Sequence, residues 1–282
     1  MQKSDSQKIK VLLLTGQSNQ WHNWKVSSQA LQAAVGGDGM FEVDTLVSPA
    51  AGGDFSGFAP AWSDYDVVLL DYEGDRWPEE CRAAFVRYME EGGGLVSFHA
   101  SDNAFPDWPE FNEMIGVGGW GGRDESSGPK VRWRKGSMVL DPGPGEAMHP
   151  EPFEYLVETR SPEHPVMQGL PEAWLHAIDE QYSQLRGPAQ NLTVLATAIA
   201  GPEIDKGTGE NEPMLMAIEY GKGRIFHTTL GHVGADDTET PPAMKCVGFL
   251  ETLFRGLEWA ATGAVTRPVP ADFPGTDFPS VR

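Results

Sequence analysis

The chain has 282 residues, 40% of them hydrophobic and 22% charged, an ordinary globular composition. Its formal charge of −20 repels phosphate backbones and anionic lipid. Nucleic acid and membrane surfaces are therefore disfavoured as partners, and a neutral small molecule such as a carbohydrate substrate fits better. Only two cysteines are present, Cys81 and Cys246, which excludes a disulfide framework or a zinc ribbon, and no apolar run approaches the ~20 residues that span a bilayer.

In chain order, the polar start from Met1 to Lys10 lacks the apolar stretch of a signal peptide. The expected compartment is the cytoplasm; the alternative is the periplasm, with a signal peptide already removed. Val11–Thr15 reads as a buried strand running into the polar and aromatic loop Gln17–Trp24, and a helix follows from about Lys25 to Val35. Phe41–Val47 and Tyr65–Asp71 read as the second and third strands. Pro78 opens a helix whose first turn carries Glu79 and Glu80, where the helix dipole favours acid, and Gly92-Gly93-Gly94 stops it after Glu91. Leu95–Phe98 then forms a fourth strand that ends at His99. Strand and helix alternating at this rhythm predict a parallel sheet with helices on both faces.

From Asp102 to Pro152 glycine, proline and tryptophan are dense and periodicity is weak, so this stretch is expected to form a wall and lid over the active face. Strands are expected again at Leu192–Thr197, Met214–Glu219 and Arg224–Thr229, the last two joined by a tight turn at Gly221-Lys222-Gly223. A helix from Ala243 to Thr262 closes a single domain, 1–267, and the proline-rich tail 268–282 drapes over its surface.

Ligands of open α/β sheets sit outside the carboxyl ends of the strands, so the residues just after each strand are the ones to inspect. His99 stands where a sharp turn would lift its side chain above the sheet edge, and its ordinary pKa suits proton transfer. Geometry-free reasoning leaves it evenly balanced against a histidine that only ties loops together. His232, also directly after a strand, is the second candidate, whereas His227 within that strand reads as core. Glu180, in the Asp179-Glu180 pair, is the third. A solvated acidic pair is the commoner meaning of such a dipeptide, but its flanks here are apolar. His149 and His164 beside prolines read as structural or exposed. Trp108, Trp120, Arg123 and Trp133 could build a sugar platform or merely anchor a long loop.

Several segments together resemble the ThuA-like, or trehalose-utilisation, family. They are Trp21-His22-Asn23-Trp24, Gly92–Ala100, His164–Pro171, Asp179-Glu180-Gln181-Tyr182 and Gly221–His232, in the family's order and across most of the chain. The resemblance implies a three-layer, flavodoxin-like sandwich of the class I glutamine amidotransferase type, with a mostly parallel central sheet. It also implies a link to disaccharide catabolism through keto-sugars. Amidotransferases of that fold carry cysteine at the elbow; here the residue is His99, so thiol chemistry is excluded.

The expectation is an enzyme acting on a keto-sugar or disaccharide derivative, possessing His99 and His232 as acid–base pair and Glu180 as supporting carboxylate. His22, Asn23, Trp24, Asp102, Asn103, Trp120 and Arg123 would hold the sugar. No cofactor is required. If a divalent metal is bound, its ligands are His22, His99 and His232, although no HExxH spacing points to one. The rival is a non-catalytic carbohydrate-binding or sensing protein on the same fold. The sequence neither requires nor forbids a homo-oligomer.

Overall fold

Residues 8–282 are described by a computed structural model. Strand β1 (Ile9–Thr15) shows why the sheet has helices on both sides. Val11 and Leu13 enter one core while Leu12 and Leu14 enter the other, so neither face is left to solvent. Helices α1 (Trp24–Gly37) and α5 (Val247–Thr262) cover the first face through Leu31, Val35, Leu253 and Leu257. Helices α2 (Glu79–Glu91) and α3 (Pro109–Ile115) cover the second through Phe85, Met89, Phe111 and Met114. Each such phenylalanine cut to alanine costs about 3–5 kcal/mol, which makes these two layers the main stabilising contacts.

Among the described residues the sheet has nine strands. β2 (Phe41–Val47), β1, β3 (Val67–Leu70), β4 (Gly94–Phe98) and β11 (Gly223–Thr228) run parallel in that order. Beyond β11, antiparallel pairing adds β10 (Asn211–Tyr220), β9 (Leu192–Ile199), β7 (Phe153–Thr159) and β8 (Ala173–Asp179). The α/β layering is as the sequence implies, but the sheet is mixed, parallel in one half and antiparallel in the other. The strands ending near Thr15, Asp71, Phe98 and Thr229 are neighbours within it, as expected.

Helix α2 stops as the glycines predict, with Gly92 left-handed at φ 118°. The expected 243–262 helix is interrupted: α4 (Pro242–Lys245) and α5 are separated by Cys246, whose backbone is extended. The 102–152 stretch holds more structure than its composition suggests. It contains α3 and a hairpin of β5 (Lys130–Arg134) and β6 (Ser137–Asp141), turned by Lys135 and Gly136 at φ 53° and 79°. Arg132 ties that hairpin to β10 through a buried ion pair with Glu212. The tail lies against the domain: Leu175 N–H donates to Gly275 O at 2.7 Å, and Phe273 packs on Trp174. Among the described residues no helix is long and apolar enough to cross a membrane.

Candidate active site

The chain turns so sharply where β4 ends that His99 takes a left-handed backbone, φ 41°. A non-glycine residue held there costs of order 1 kcal/mol or more, which the surrounding structure must offset. The strained turn points the ring across the sheet edge to the adjoining loop after β11, where its Nδ1 lies 2.6 Å from Thr229 O. A carbonyl can only accept, so Nδ1 carries the proton and Nε2 keeps its lone pair. That loop holds Gly231 at φ 99°, where a Cβ would sit 2.8 Å from the Phe98 ring, so only glycine fits. The next residue, His232, brings Nδ1 to 3.1 Å from His99 Nε2 and 3.1 Å from Glu180 Oε2.

His22 comes from the loop after β1. Its Nδ1 donates to Asn19 Oδ1 at 2.8 Å, an atom identified as oxygen because it also accepts the Trp21 N–H. Its Nε2 faces Tyr182 OH at 3.1 Å. Tyr182, two residues after Glu180, lies over His99 with ring centroids 4.3 Å apart. Four loops at one sheet edge thus bring His22, His99, His232 and Glu180 together.

Burial dominates the electrostatics. It pushes His22 down to about 3, helped by the neighbouring His232 and His149, and holds His99 well below and His232 below the ordinary histidine value. All three imidazoles are therefore neutral at pH 7. Burial, with Asp179 and Glu151 nearby, pushes Glu180 up to about 8, and burial takes Glu73 up to about 7. Tyr182 stays a neutral hydroxyl, its pKa raised well above 10 by burial.

A cleft of about 900 Å³ opens above this cluster. His22, Glu180 and His232 line it, with Asn103 and Trp120 from the 102–152 stretch forming part of its wall. His99 is 1% exposed and meets the cleft through His232 and Tyr182; together with Trp24 it borders a separate space of about 20 Å³. The remaining residues expected to hold sugar are engaged elsewhere. Asn23 caps α1 and donates to Asp237 O. Asp102 is buried against His227 at 3.3 Å. Arg123 donates to the carbonyls of Asn103, Ala104 and Gly119 and to Asn112 Oδ1, and so clamps its own loop rather than facing the cleft. Trp108 is packed against Trp77 and Phe111 in the core, and Trp133 lies on the β5 hairpin under Arg160.

The sequence assigns no role to Glu73, Tyr182 and Lys206 and reads His149 as structural or exposed, yet all four line the cleft. Glu73 was legible, since it follows β3 at the same sheet edge. His149 and Lys206 arrive on long loops with no periodic signal to place them. Neither cysteine lines the cleft: Cys81 lies in α2 and Cys246 between α4 and α5, both buried.

A family model described as ThuA, trehalose utilisation, matches residues 10–260. The chain belongs to the ThuA family. This membership supports a carbohydrate-related function. A crystal structure of a ThuA-like protein from Parabacteroides merdae is 48% identical, covers 98% of each chain and superposes with a TM-score of 0.94. A second ThuA-like structure, from Bacteroides uniformis, is 20% identical over 94% of this chain and 97% of its own, TM-score 0.59, and shows the fold alone. So does a cytoplasmic protein of Salmonella typhimurium, 14% identical over 89% of this chain and 99% of its own, TM-score 0.50. Comparison with curated proteins finds no match.

Proposed function

We propose that this chain is a carbohydrate-catabolic enzyme that moves a proton next to the carbonyl of a keto-sugar or related disaccharide derivative. The observation that carries this reading is the convergence of Glu180, His232 and His22 on the floor of a sugar-sized cleft with Trp120 in its wall. A ketone acidifies the adjacent C–H, so a base with a pKa near the working pH suffices to remove the proton. Glu180, at about 8, is that group, and His232 at 3.1 Å orients it. The electron pair left on carbon moves to the carbonyl oxygen, giving an enediolate. The Tyr182 hydroxyl, turned from His22 Nε2, can donate to that oxygen and recover a proton from the hydroxyl on the neighbouring carbon, while Glu180 returns its proton to the former carbonyl carbon, which completes an isomerisation. His99, with Nδ1 committed to Thr229, acts by holding His232 rather than by meeting the sugar. Trp120 offers an indole face for pyranose C–H groups.

Incubating the protein in D₂O with keto-derivatives of disaccharides, followed by proton NMR, tests the reading. Deuterium should enter at the carbon beside the carbonyl, and Glu180→Gln should slow this by about 10²–10⁴-fold. His99→Gln should leave sugar binding in place while turnover falls. If keto-sugars bind but no variant or wild type exchanges the proton, the chain is instead a carbohydrate-binding protein.

A further inference from the structure

We infer that His22, His99, His232 and Glu180 form a binding site for one divalent transition-metal ion. The inference shares its location with the reading above but does not depend on the substrate named there.

The donor atoms of these four residues all lie within 4.8 Å of one another. Bonds of about 2.1 Å to a tetrahedral ion put neighbouring donors about 3.4 Å apart. The 3.1 Å separations of His99 Nε2 from His232 Nδ1 and of His232 Nδ1 from Glu180 Oε2 are close to that edge. The three imidazoles are also mutual neighbours. Their centroids are 5.4, 5.1 and 5.2 Å apart and their planes cross at 75°, 67° and 65°, so no two rings stack face to face.

The outer contacts point the same way. His22 and His99 each give the Nδ1 proton to an oxygen, Asn19 Oδ1 and Thr229 O, which aims both Nε2 lone pairs inward. Metal-ligating histidines are held in this manner by their second nitrogen. The cluster is also short of donors. His22 Nε2 has the Tyr182 hydroxyl, but His99 Nε2 and Glu180 Oε2 compete for the single position at His232 Nδ1. A cation satisfies all of these lone pairs at once, and the −20 charge of the chain favours its approach.

Three imidazoles and one carboxylate suit zinc, iron(II), cobalt or nickel; magnesium and calcium prefer sites built of oxygen alone. A bound ion held by Glu180 Oε2 would supply Lewis acidity at the cleft floor and leave Glu180 Oε1 as the oxygen that takes a proton. His22 and His232, which line both the cluster and the cleft, would set how close a substrate oxygen comes to it.

The test is a calorimetric titration of the full chain, stripped with a chelator and dialysed, with zinc chloride and in parallel with magnesium chloride. Cobalt(II) absorption in the visible reports the ligand field. One equivalent of zinc should bind, with no magnesium signal, and cobalt should give the intense bands of a four- or five-coordinate site. His22→Gln and Glu180→Gln, both on the cleft surface, should each weaken zinc by about 100-fold or more while circular dichroism stays unchanged. Asn19→Ala should weaken it by about 10–100-fold. The double variant Glu42→Gln, Glu154→Gln, at exposed strand positions that do not line the cleft, should leave it unchanged. Absence of stoichiometric zinc on the folded chain, or zinc retained at full affinity in both His22→Gln and Glu180→Gln, overturns the inference. No sugar is present, so failure of the keto-sugar reading leaves this result standing, and the reverse holds as well.

Discussion

Asp179 holds His232 by the backbone, accepting its N–H at 2.9 Å through Oδ1. The other oxygen accepts the Gly231 N–H at 2.7 Å and meets His176 Nε2 at 2.8 Å. One buried carboxylate therefore fixes the loop after β11 and anchors it to β8. Asp179→Ala should cost about 3–5 kcal/mol of stability, because it leaves a buried imidazole and three amides, those of Glu180, Gly231 and His232, without their partner. Urea unfolding measures this, and a change below about 1 kcal/mol would contradict the assignment.

The same contact makes a prediction about alkaline pH. Burial alone would lower His176, but Asp179 and the Cys246 thiol beside it overcome that and raise the group to about 9. A histidine raised in the folded state stabilises fully below its unfolded value of about 6.5 and loses that contribution as pH climbs through the folded value. Stability should therefore fall between about pH 7 and 9, and His176→Gln should be less stable at pH 6 but show a flatter profile. Equal slopes in the two proteins would count against it.

Asp71, beyond the end of β3, gives the opposite kind of variant. It is buried, and although Ser27 donates to it at 2.8 Å, desolvation raises it to about 7. Its native state prefers the proton, so it lowers stability progressively as pH rises from about 4 through 7. Asp71→Asn should stabilise the protein by about 2–4 kcal/mol at pH 8 and change little at pH 4. Melting curves at the two pH values decide the matter.

Trp120 forms part of the cleft wall, edge-on to Tyr182 with centroids 4.7 Å apart. Trp120→Ala should weaken sugar binding by about tenfold, the loss of one aromatic contact, while the melting temperature changes little. Unchanged affinity together with loss of an oligomer on size exclusion would make it an interface residue instead.

Arg123 should behave as a loop clamp. Arg123→Lys cannot reproduce five directed donations to four acceptors from one planar group, and should destabilise by about 1–3 kcal/mol while sugar affinity in the folded fraction stays within twofold. A selective loss of sugar affinity at full stability would return Arg123 to the binding site.

The parallel half of the sheet was legible in the sequence because its strands are short apolar runs between strong helix stops, as at Val11–Thr15 and Leu95–Phe98. β7 and β8 were not. Their alternation is broken by Leu156 and Ile178, which are exposed, and by His176 and Asp179, polar residues that are buried against each other. His22, His99 and His232 could be brought together on paper, since each follows a strand at one edge. Glu180 joins them through β8, which the sequence reading had not recognised. The inward residues of the long excursion could not be separated by type: Trp120 reaches the cleft and Trp108 the core, and only tertiary packing distinguishes them.

His99 and His232 stand on β4 and β11, two parallel neighbours in register, whereas much of the cleft wall hangs from the irregular 102–152 stretch and the loop bearing Lys206. Floor and walls thus answer to different pressures. Insertions or swaps in those loops can reshape which ligands enter without disturbing the strained turn at His99. Among relatives, a change of ligand should accordingly be written in the loops long before it touches the floor beneath.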